Sequence, residues 1–269
     1  MTNEGRGRTA LVTGASAGIG EAFARELARH GFDLVLTARR RDRLDALAAE
    51  LEARYGVRTL CVVEDLADPN APTRLIGRVH AEGMEVDFLV NNAGYGVAGT
   101  FVDTSWREQA DFIQVLVTSC AHLTHLVLPR MRERGFGRIA NIASIAGLLP
   151  GTIGHTLYAA AKAFMIKSSQ SVALEMRGTG VTATAVCPGF TYTEFHDVIG
   201  IRAQVSKLPS FMWMTSEDVA VDGYAATMRG DIVCVNGSVN KGIAALGKLL
   251  PEAVALKLME KRSGSFRKG

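Results

Sequence analysis

The sequence has few cysteines and little net charge. Its 269 residues include four cysteines, Cys61, Cys120, Cys187 and Cys234, and carry a formal net charge of +3. The cysteines form no CxxC pair and lie far apart in apolar stretches, so we expect free buried thiols rather than disulfides or a zinc site. So small a charge gives no electrostatic basis for binding nucleic acid.

Long apolar runs are also missing. No stretch reaches the roughly 18 continuous apolar residues that a membrane span requires. Met1–Arg8 lacks the apolar core of a signal peptide, so we expect a cytoplasmic protein. Apolar residues make up 48% of the chain and charged residues 21%, as in ordinary globular domains. A chain of this length can bury a large core without disulfides.

Strand-like and helix-like segments alternate along the whole chain. This alternation predicts right-handed βαβ units and a parallel sheet covered on both faces. We therefore expect an α/β fold with a doubly wound parallel sheet and one domain over residues 1–269. The predicted strands are Thr9–Thr13, Asp33–Arg39, Thr59–Val63, Val86–Asn91, Arg138–Ala143, Val181–Cys187 and Ile232–Val235, and the predicted helices are Ile19–His30, Asp42–Tyr55, Pro72–Ala81, Glu108–Arg134 and Thr156–Arg177.

A glycine-rich loop, Thr13–Gly20 (TGASAGIG), follows the first predicted strand. Glycines let the backbone approach a ligand closely, and the helix that follows presents free N–H groups suited to a pyrophosphate. The same loop matches the GxSxG turn of hydrolases. That interpretation is rejected because the loop follows the first strand, with no earlier loop to supply an oxyanion donor. A glycine-rich turn without a ligand remains an alternative.

Arginines follow the second predicted strand, at Arg39, Arg40, Arg41 and Arg43. A site for NAD usually has a carboxylate there for the ribose hydroxyls, whereas a guanidinium suits a 2′-phosphate. The pattern favours NADP(H) over NAD(H). A solvated basic run is the alternative, although cations at the start of a helix oppose its dipole.

Tyr158 and Lys162 are four residues apart, on one face of a predicted helix. A neighbouring ammonium is expected to lower the pKa of the tyrosine from about 10, which makes it a usable acid near neutral pH. Ser144 follows the fifth predicted strand, at the carboxyl edge where such sheets bind ligands, and its hydroxyl can polarise a carbonyl oxygen.

Taken together, these motifs resemble the short-chain dehydrogenase/reductase family. The ordered set is TGASAGIG at Thr13–Gly20, NNAG at Asn91–Gly94, Ser144 with Tyr158 and Lys162, and Cys187-Pro188-Gly189. The resemblance covers about Thr9 to Thr193. The later segment Leu208–Asp218 (LPSFMWMTSED) is similar to a bacterial branch that includes mycolate-reductase-like and DltE-like proteins.

The resemblance implies a strand order of 3-2-1-4-5-6-7 and a homodimer or homotetramer formed through the two long helices. It implies Tyr158 as the general acid, Ser144 as the group that holds the substrate oxygen, and Lys162 as a ligand of the nicotinamide ribose that lowers the Tyr158 pKa. The resemblance also implies a set of cofactor-binding residues, to which the basic run adds Arg39 and the loop adds its third glycine, Gly20. The full set is Gly14, Ser16, Gly18, Ile19, Gly20, Arg39, Asp65, Leu66, Asn92, Gly94, Tyr158, Lys162, Pro188, Gly189, Thr191 and Thr193.

One position departs from the family pattern. Many members carry an asparagine on the long helix before the fifth strand, where it holds a water that resupplies protons, and this sequence has Leu116. Leucine cannot hold water through its side chain. Gln114, Thr118 or Ser119 can compensate only if a change in helix register or a kink lets them reach. Three interpretations are open: the enzyme uses another water path, it turns over slowly, or the protein binds nucleotide without turnover.

The last third of the chain is expected to recognise the substrate. Residues 190–215 are rich in large apolar side chains and suit a lid over a hydrophobic substrate, with core or subunit contacts as the alternative. Residues 243–269 form a C-terminal extension that Pro251 divides in two. Packing on the core or on a neighbouring subunit is favoured over contact with a membrane surface.

The first hypothesis is therefore an NADPH-dependent carbonyl reductase, or the reverse alcohol dehydrogenase, acting on a hydrophobic ketone or long-chain 3-oxoacyl compound. The alternative is a nucleotide-binding sensor or scaffold protein with little turnover. The histidines give no metal site, because His122 and His125 lack a carboxylate or cysteine at ligand spacing.

Overall fold

The computed structural model of the chain describes residues 3–195 and 209–263. Seven strands form one sheet in the order β3-β2-β1-β4-β5-β6-β9, which confirms the predicted order with β9 as the seventh strand. Every pairing in this sheet is parallel. The strands are β1 Thr9–Thr13, β2 Asp33–Ala38, β3 Thr59–Val63, β4 Val86–Asn91, β5 Gly137–Ile142, β6 Val181–Cys187, β7 Phe190–Thr191, β8 Trp213–Met214 and β9 Val233–Val235.

Helices cover both faces of the sheet, as the continuously apolar strands require. Strand β1 is buried along its whole length, and the side chains on its two faces belong to two separate hydrophobic clusters. Phe23 of α1 lies in one cluster and Leu75 of α3 in the other. The helices are α1 Gly18–Arg29, α2 Arg41–Tyr55, α3 Ala71–Ala81, α4 Trp106–Ile113, α5 Cys120–Glu133, α6 Thr156–Glu175, α7 Ser216–Arg229, α8 Ser238–Leu249 and α9 Glu252–Ser263.

The predicted long helix is present but changes its winding in the middle. A π-helical segment, Gln114–Ser119, joins α4 to α5 and contains Leu116. Such segments are uncommon and often lie at functional sites. In the ranges 3–195 and 209–263, Trp106–Glu133 is the one helix long and apolar enough to cross a membrane. Its inner face packs in the core through Leu123 and Met131, and core helices of globular proteins commonly have this length and hydropathy.

Two short strands were not predicted. β7 and β8 pair in parallel, Phe190 with Trp213 and Thr191 with Met214, and so they join the two ends of the predicted substrate segment. Residues 196–208 of that segment lie outside the described residues. The extension at the C-terminus divides at Pro251 into α8 and α9, as predicted, and its residues 264–269 are likewise outside the described part.

Candidate active site

Ser144 lies at the carboxyl edge of the sheet, two residues after β5. Neighbouring amides fix its loop to the next strand, because Ala143 N donates to Val186 O at 2.8 Å and Ile145 N donates to Pro188 O at 3.0 Å. The Ser144 Oγ accepts a hydrogen bond from Ala146 N at 3.1 Å and so caps the short 3₁₀ helix that follows. The hydroxyl is therefore held at the sheet edge, where the sequence predicts a ligand site.

Tyr158 is brought to Ser144 by close packing of α6 on this 3₁₀ turn. The contact requires glycine at position 147, since a β-carbon there would lie 2.6 Å from the carbonyl carbon of Lys162. The Ser144 side chain is close enough to Tyr158 to act on the pKa of the phenol. Burial raises the pKa of Tyr158 to about 12, and the neighbouring Ser144 hydroxyl acts in the opposite direction. The phenol is therefore neutral near neutral pH.

Lys162 lies one turn further along α6 and is 6% exposed. Its Nζ donates to Ile142 O at 2.7 Å, contacts Met165 Sδ at 3.7 Å and lies 5.7 Å from the centre of the Tyr158 ring. Burial lowers the pKa of Lys162 to about 8. The prediction that Lys162 lowers the pKa of Tyr158 is wrong for this arrangement, because burial of the phenol dominates and the ammonium is directed at the β5 carbonyl.

The glycine-rich loop is fixed to the end of β4 by two polar side chains. Asn92 Nδ2 donates to Thr13 O at 2.9 Å and to Gly14 O at 3.3 Å. Thr13 Oγ1 accepts from the backbone N–H groups of Asn92 and Ala93 at 2.9 and 3.0 Å. Thr13 was not among the predicted cofactor residues, although its place at the end of β1 was a usable signal. These bonds fix the conformation of the glycine-rich loop just before α1.

The glycines of this loop, the glycine cradle, permit a tight turn that residues with a side chain would disturb. Gly14 and Gly18 have φ of +65° and +58°, which residues with a side chain rarely adopt. A β-carbon on Gly20 would lie 2.4 Å from Gly14 O. Helix α1 begins at Gly18 with Ala17 as its N-cap, so no side chain caps its first amides. Uncapped amides beside a glycine cradle form a ready anion site.

The arginines after β2 are placed differently from the prediction. Arg39 is exposed and its Nη1 lies 4.0 Å from Asp65 Oδ2. Arg40 is the one that reaches the loop, where its Nε and Nη2 donate to Ser16 Oγ at 3.1 and 3.0 Å. Arg40 and Arg43 both bind Glu194. The basic run alone did not distinguish Arg39 from Arg40, since adjacent residues of an extended chain point to opposite sides.

The other predicted cofactor residues line the same edge. Asp65 accepts a bond from Ala67 N at 3.0 Å, and Leu66 O accepts one from Ser119 Oγ at 2.8 Å. Thr191 Oγ1 donates to Gly189 O at 3.2 Å. The β1, β3, β4 and β6 loops all follow the carboxyl ends of parallel strands and so lie at one edge of the sheet. Four more predicted cofactor residues lie at this edge. Ile19 is partly buried against the core, and Thr193 lies against Gly18. The carbonyl of Pro188 accepts a hydrogen bond from Ile145 N, and Gly94 lies beside Leu116.

Leu116 occupies a buried place beside the site, within the π-helical segment. It is 1% exposed, and a β-carbon on Gly94 would lie 3.4 Å from its Cγ. The polar neighbours in the segment point elsewhere: Gln114 Nε2 donates to Ser119 Oγ at 3.1 Å, Ser119 itself donates to Leu66 O, and Thr118 is exposed. None of the three compensates directly for the missing asparagine.

A buried polar network lies beneath the site and was not predicted. Asn91 Nδ2 donates to Asn141 Oδ1 at 2.8 Å, and Asn141 Nδ2 donates to Ser169 Oγ at 2.8 Å. The two asparagines face each other across β4 and β5, while Ser169 is on α6. The network therefore ties α6, which carries Tyr158 and Lys162, to the sheet.

The four cysteines are free thiols, as predicted. Cys120 and Cys187 are buried, whereas Cys61 and Cys234 are only partly buried, which differs from the prediction. Among residues 3–195 and 209–263, no group of three histidine, cysteine or acidic side chains is arranged to hold a metal ion.

Comparison with known proteins gives one consistent family. The sequence profile of the short chain dehydrogenases matches residues 8–202. The oxidoreductase UcpA of Escherichia coli (strain K12) is 37% identical over 193 residues, 72% of this chain and 73% of UcpA. The very-long-chain 3-oxoacyl-CoA reductase of Homo sapiens is 36% identical over 268 residues, 98% of this chain and 82% of that protein.

A solved structure supports the same family assignment. The short-chain dehydrogenase from Sphingobium yanoikuyae in complex with NADPH is 32% identical and superposes with a TM-score of 0.79, covering 91% of this chain and 97% of that one. With a parallel sheet, a glycine cradle and a serine, tyrosine and lysine at one sheet edge, the chain belongs to the short-chain dehydrogenase family of oxidoreductases.

Proposed function

We propose that the chain is an NADP(H)-dependent oxidoreductase that interconverts a carbonyl compound and its alcohol. The observation that carries this proposal is the packing of α6 on the turn after Ser144, which brings Tyr158 and Lys162 of that helix to the same sheet edge as the serine. A phenol and a hydroxyl converging on one point are suited to hold a carbonyl oxygen and deliver a proton to it.

The residues present fit a dinucleotide. Gly14, Gly18 and Gly20 allow the loop to turn tightly against Asn92 and Thr193, where β-carbons would be crowded, and the loop leads directly into the uncapped start of α1. Ser16, Asn92 and Thr193 border the cradle and would hold the phosphates and the ribose. When bound, the nicotinamide supplies the hydride.

The chain's own residues then act on the substrate oxygen. Ser144 Oγ donates a hydrogen bond that polarises the carbonyl, and Tyr158 Oη releases its proton to the same oxygen as negative charge develops there. With its pKa near 12, Tyr158 stays protonated for reduction. Lys162, whose Nζ donates to Ile142 O, would hold the ribose of the nicotinamide nucleotide.

NADP(H) is proposed over NAD(H) because of the side chains beside Ser16. Arg40 donates to Ser16 Oγ, and Arg43 lines the adjoining cavity, so two guanidiniums lie at the place that a 2′-phosphate would take. The NADPH bound to the Sphingobium relative supports this choice. Here Arg40 and Arg43, rather than Arg39, would carry the selectivity.

The proposed substrate is a hydrophobic ketone or a long-chain 3-oxoacyl compound. Phe195 lies 5.7 Å from Tyr158, ring centre to ring centre, and Tyr192 stacks on Trp213 at 4.7 Å. The rings of Phe195, Tyr192 and Trp213 lie in the described parts of the predicted lid, 190–195 and 209–215, and support an apolar substrate. The similarity to the human very-long-chain 3-oxoacyl-CoA reductase favours the same chemistry. The likeness of Leu208–Asp218 to the mycolate-reductase-like and DltE-like branch stays a prediction.

A nucleotide-binding sensor with little turnover is the second candidate, and Leu116 is the observation that favours it. Its apolar side chain is buried beside Gly94, at the position where many family members carry the asparagine. The intact Ser144, Tyr158 and Lys162 favour the enzyme.

The test is NADPH oxidation with a small reactive diketone and a panel of long-chain ketones, together with titration of NADPH binding. We expect turnover in the parent protein, a fall of about 10²–10⁴-fold in Tyr158→Phe, and an unchanged NADPH Kd in that variant. Tight NADPH binding without turnover on any ketone would instead support the sensor.

Self-association and location stay proposals as well. Phe164 and Leu174 of α6 are 37% and 51% exposed, which supports packing of this helix against a second copy of the chain. We propose a homodimer or homotetramer in the cytoplasm, with light scattering as the check on its mass.

A further inference from the structure

Glu194 binds two arginines from another part of the chain. Its Oε2 accepts a hydrogen bond from Arg40 Nη1 at 2.8 Å, and its Oε1 accepts one from Arg43 Nη1 at 2.6 Å. The same Arg40 donates through Nε and Nη2 to Ser16 Oγ of the glycine-rich loop. A continuous chain of contacts therefore runs from Ser16 through Arg40 and Glu194 to Arg43.

This carboxylate lies at the mouth of the glycine cradle. Glu194 follows Thr193, which is so close to the loop that a β-carbon on Gly18 would lie 3.0 Å from Thr193 Cγ2. A cavity of about 270 Å³ adjoins this point, and its lining includes Gly18, Arg43 and Glu194. Glu194 thus binds the arginines beside the glycine-rich loop, with about half of its side chain open to solvent.

The two ion pairs keep Glu194 ionised. The Arg40 hydrogen bond, followed by the Arg43 hydrogen bond, holds the pKa of Glu194 below its ordinary value. All three side chains are about half exposed, so each pair contributes modestly and can exchange for another anion. A phosphate dianion offers more charge and more acceptor oxygens to the same guanidiniums than one carboxylate does.

We propose that Glu194 is an internal competitor for the 2′-phosphate of NADPH and so determines how strongly the protein prefers NADPH to NADH. Glu194 occupies Arg40 and Arg43 in the free protein, and a 2′-phosphate must displace it to bind them. Two anions on one pair of arginines repel each other, so Glu194 weakens NADPH binding. NADH has a free 2′-hydroxyl and does not compete. This inference rests on the proposed NADP(H) site.

The test compares Kd values for four probes, NADPH, NADH, 2′,5′-ADP and 5′-AMP, in the parent protein and in Glu194→Gln. We expect Glu194→Gln to bind NADPH and 2′,5′-ADP roughly threefold to tenfold more tightly, with NADH and 5′-AMP changed by less than about twofold. Glu217→Gln is the matched control, because Glu217 lines the same cavity and loses the same charge. We expect it to leave the NADPH/NADH ratio unchanged.

Three results would overturn the inference: weaker or unchanged NADPH binding in Glu194→Gln, equal tightening of NADPH and NADH, or an equal effect of Glu217→Gln. If Glu194→Gln folds poorly, Glu194→Ala provides a second measurement of the ratio of the NADPH and NADH Kd values. The parent protein tests the underlying cofactor proposal separately, because a parent that binds NADPH no more tightly than NADH contradicts that proposal before any variant is made.

Discussion

Lys162 donates a 2.7 Å hydrogen bond from Nζ to the carbonyl oxygen of Ile142, the last residue of β5. Ser144 comes two residues later, so the strand that carries the serine also fixes the lysine. The ammonium is enclosed by this carbonyl and by Met165 Sδ. So few polar partners explain why burial lowers the pKa of Lys162 to about 8.

The first prediction concerns stability against pH. The folded pKa of Lys162 is about 8 and its ordinary value is 10.5, so between these values the unfolded chain binds more protons than the folded one. Stability therefore rises with pH across this window. We expect the parent protein to gain roughly 1–3 kcal/mol relative to Lys162→Met between about pH 7.5 and 10.

Paired urea titrations of the two proteins give this difference directly, since every other titrating group is common to both. A difference that stays flat or falls as the pH rises would contradict the lowered pKa.

The second prediction concerns Leu116. An amide at this buried apolar position replaces packing in the core with a polar group that must find a partner. We expect Leu116→Asn to lower the free energy of unfolding by about 2–4 kcal/mol and Leu116→Met by less than about 1.5 kcal/mol. Urea unfolding measures both.

A Leu116→Asn protein as stable as the parent would mean that the site already holds polar partners for the amide. If that variant also turned over faster, the parent would be a slow enzyme rather than one with another water path.

The third prediction uses the glycine cradle. A β-carbon on Gly20 would lie 2.4 Å from Gly14 O, a backbone atom that cannot move without shifting the loop. We expect Gly20→Ala to weaken NADPH binding at least about tenfold and to cost about 1–3 kcal/mol of stability. Gly77→Ala is the control, because Gly77 is exposed within α3 and a β-carbon there meets no atom within 4 Å.

Calorimetric titration with NADPH and thermal unfolding measure the two effects. Equal NADPH affinities in Gly20→Ala and Gly77→Ala would show that the loop accommodates the methyl group.

The sequence was sufficient to predict the sheet and the three candidate catalytic residues at its edge, Ser144, Tyr158 and Lys162. Apolar runs such as Val86–Asn91 predicted β1, β3, β4 and β6 to the residue and β2, β5 and β9 to within one residue at each end, because a strand buried on both faces has a clear composition. Ser144, Tyr158 and Lys162 converge as expected, since parallel strands and crossover helices bring their ends to one edge.

Other features depend on three-dimensional neighbours that no local pattern records. β7 and β8 have two residues each, too few to show a periodicity. The pKa of Tyr158 is set by the depth of burial rather than by the spacing to Lys162. The placement of Arg40 over Ser16 depends on which side of the extended chain faces the loop.

The last prediction concerns the buried network beneath the site. Asn141 is 3% exposed, accepts from Asn91 Nδ2 and donates to Ser169 Oγ, so its removal leaves buried polar groups without their partner. We expect Asn141→Ala to lower the free energy of unfolding by about 2–4 kcal/mol, whereas Asn70→Ala on the exposed start of α3 should change it by less than about 0.5 kcal/mol.

Because Ser169 belongs to the helix that carries Tyr158 and Lys162, kcat should fall in Asn141→Ala while the NADPH Kd changes little. Stability loss without any change in kcat would confine the network to a structural role, and an unchanged stability would contradict the hydrogen bonds themselves.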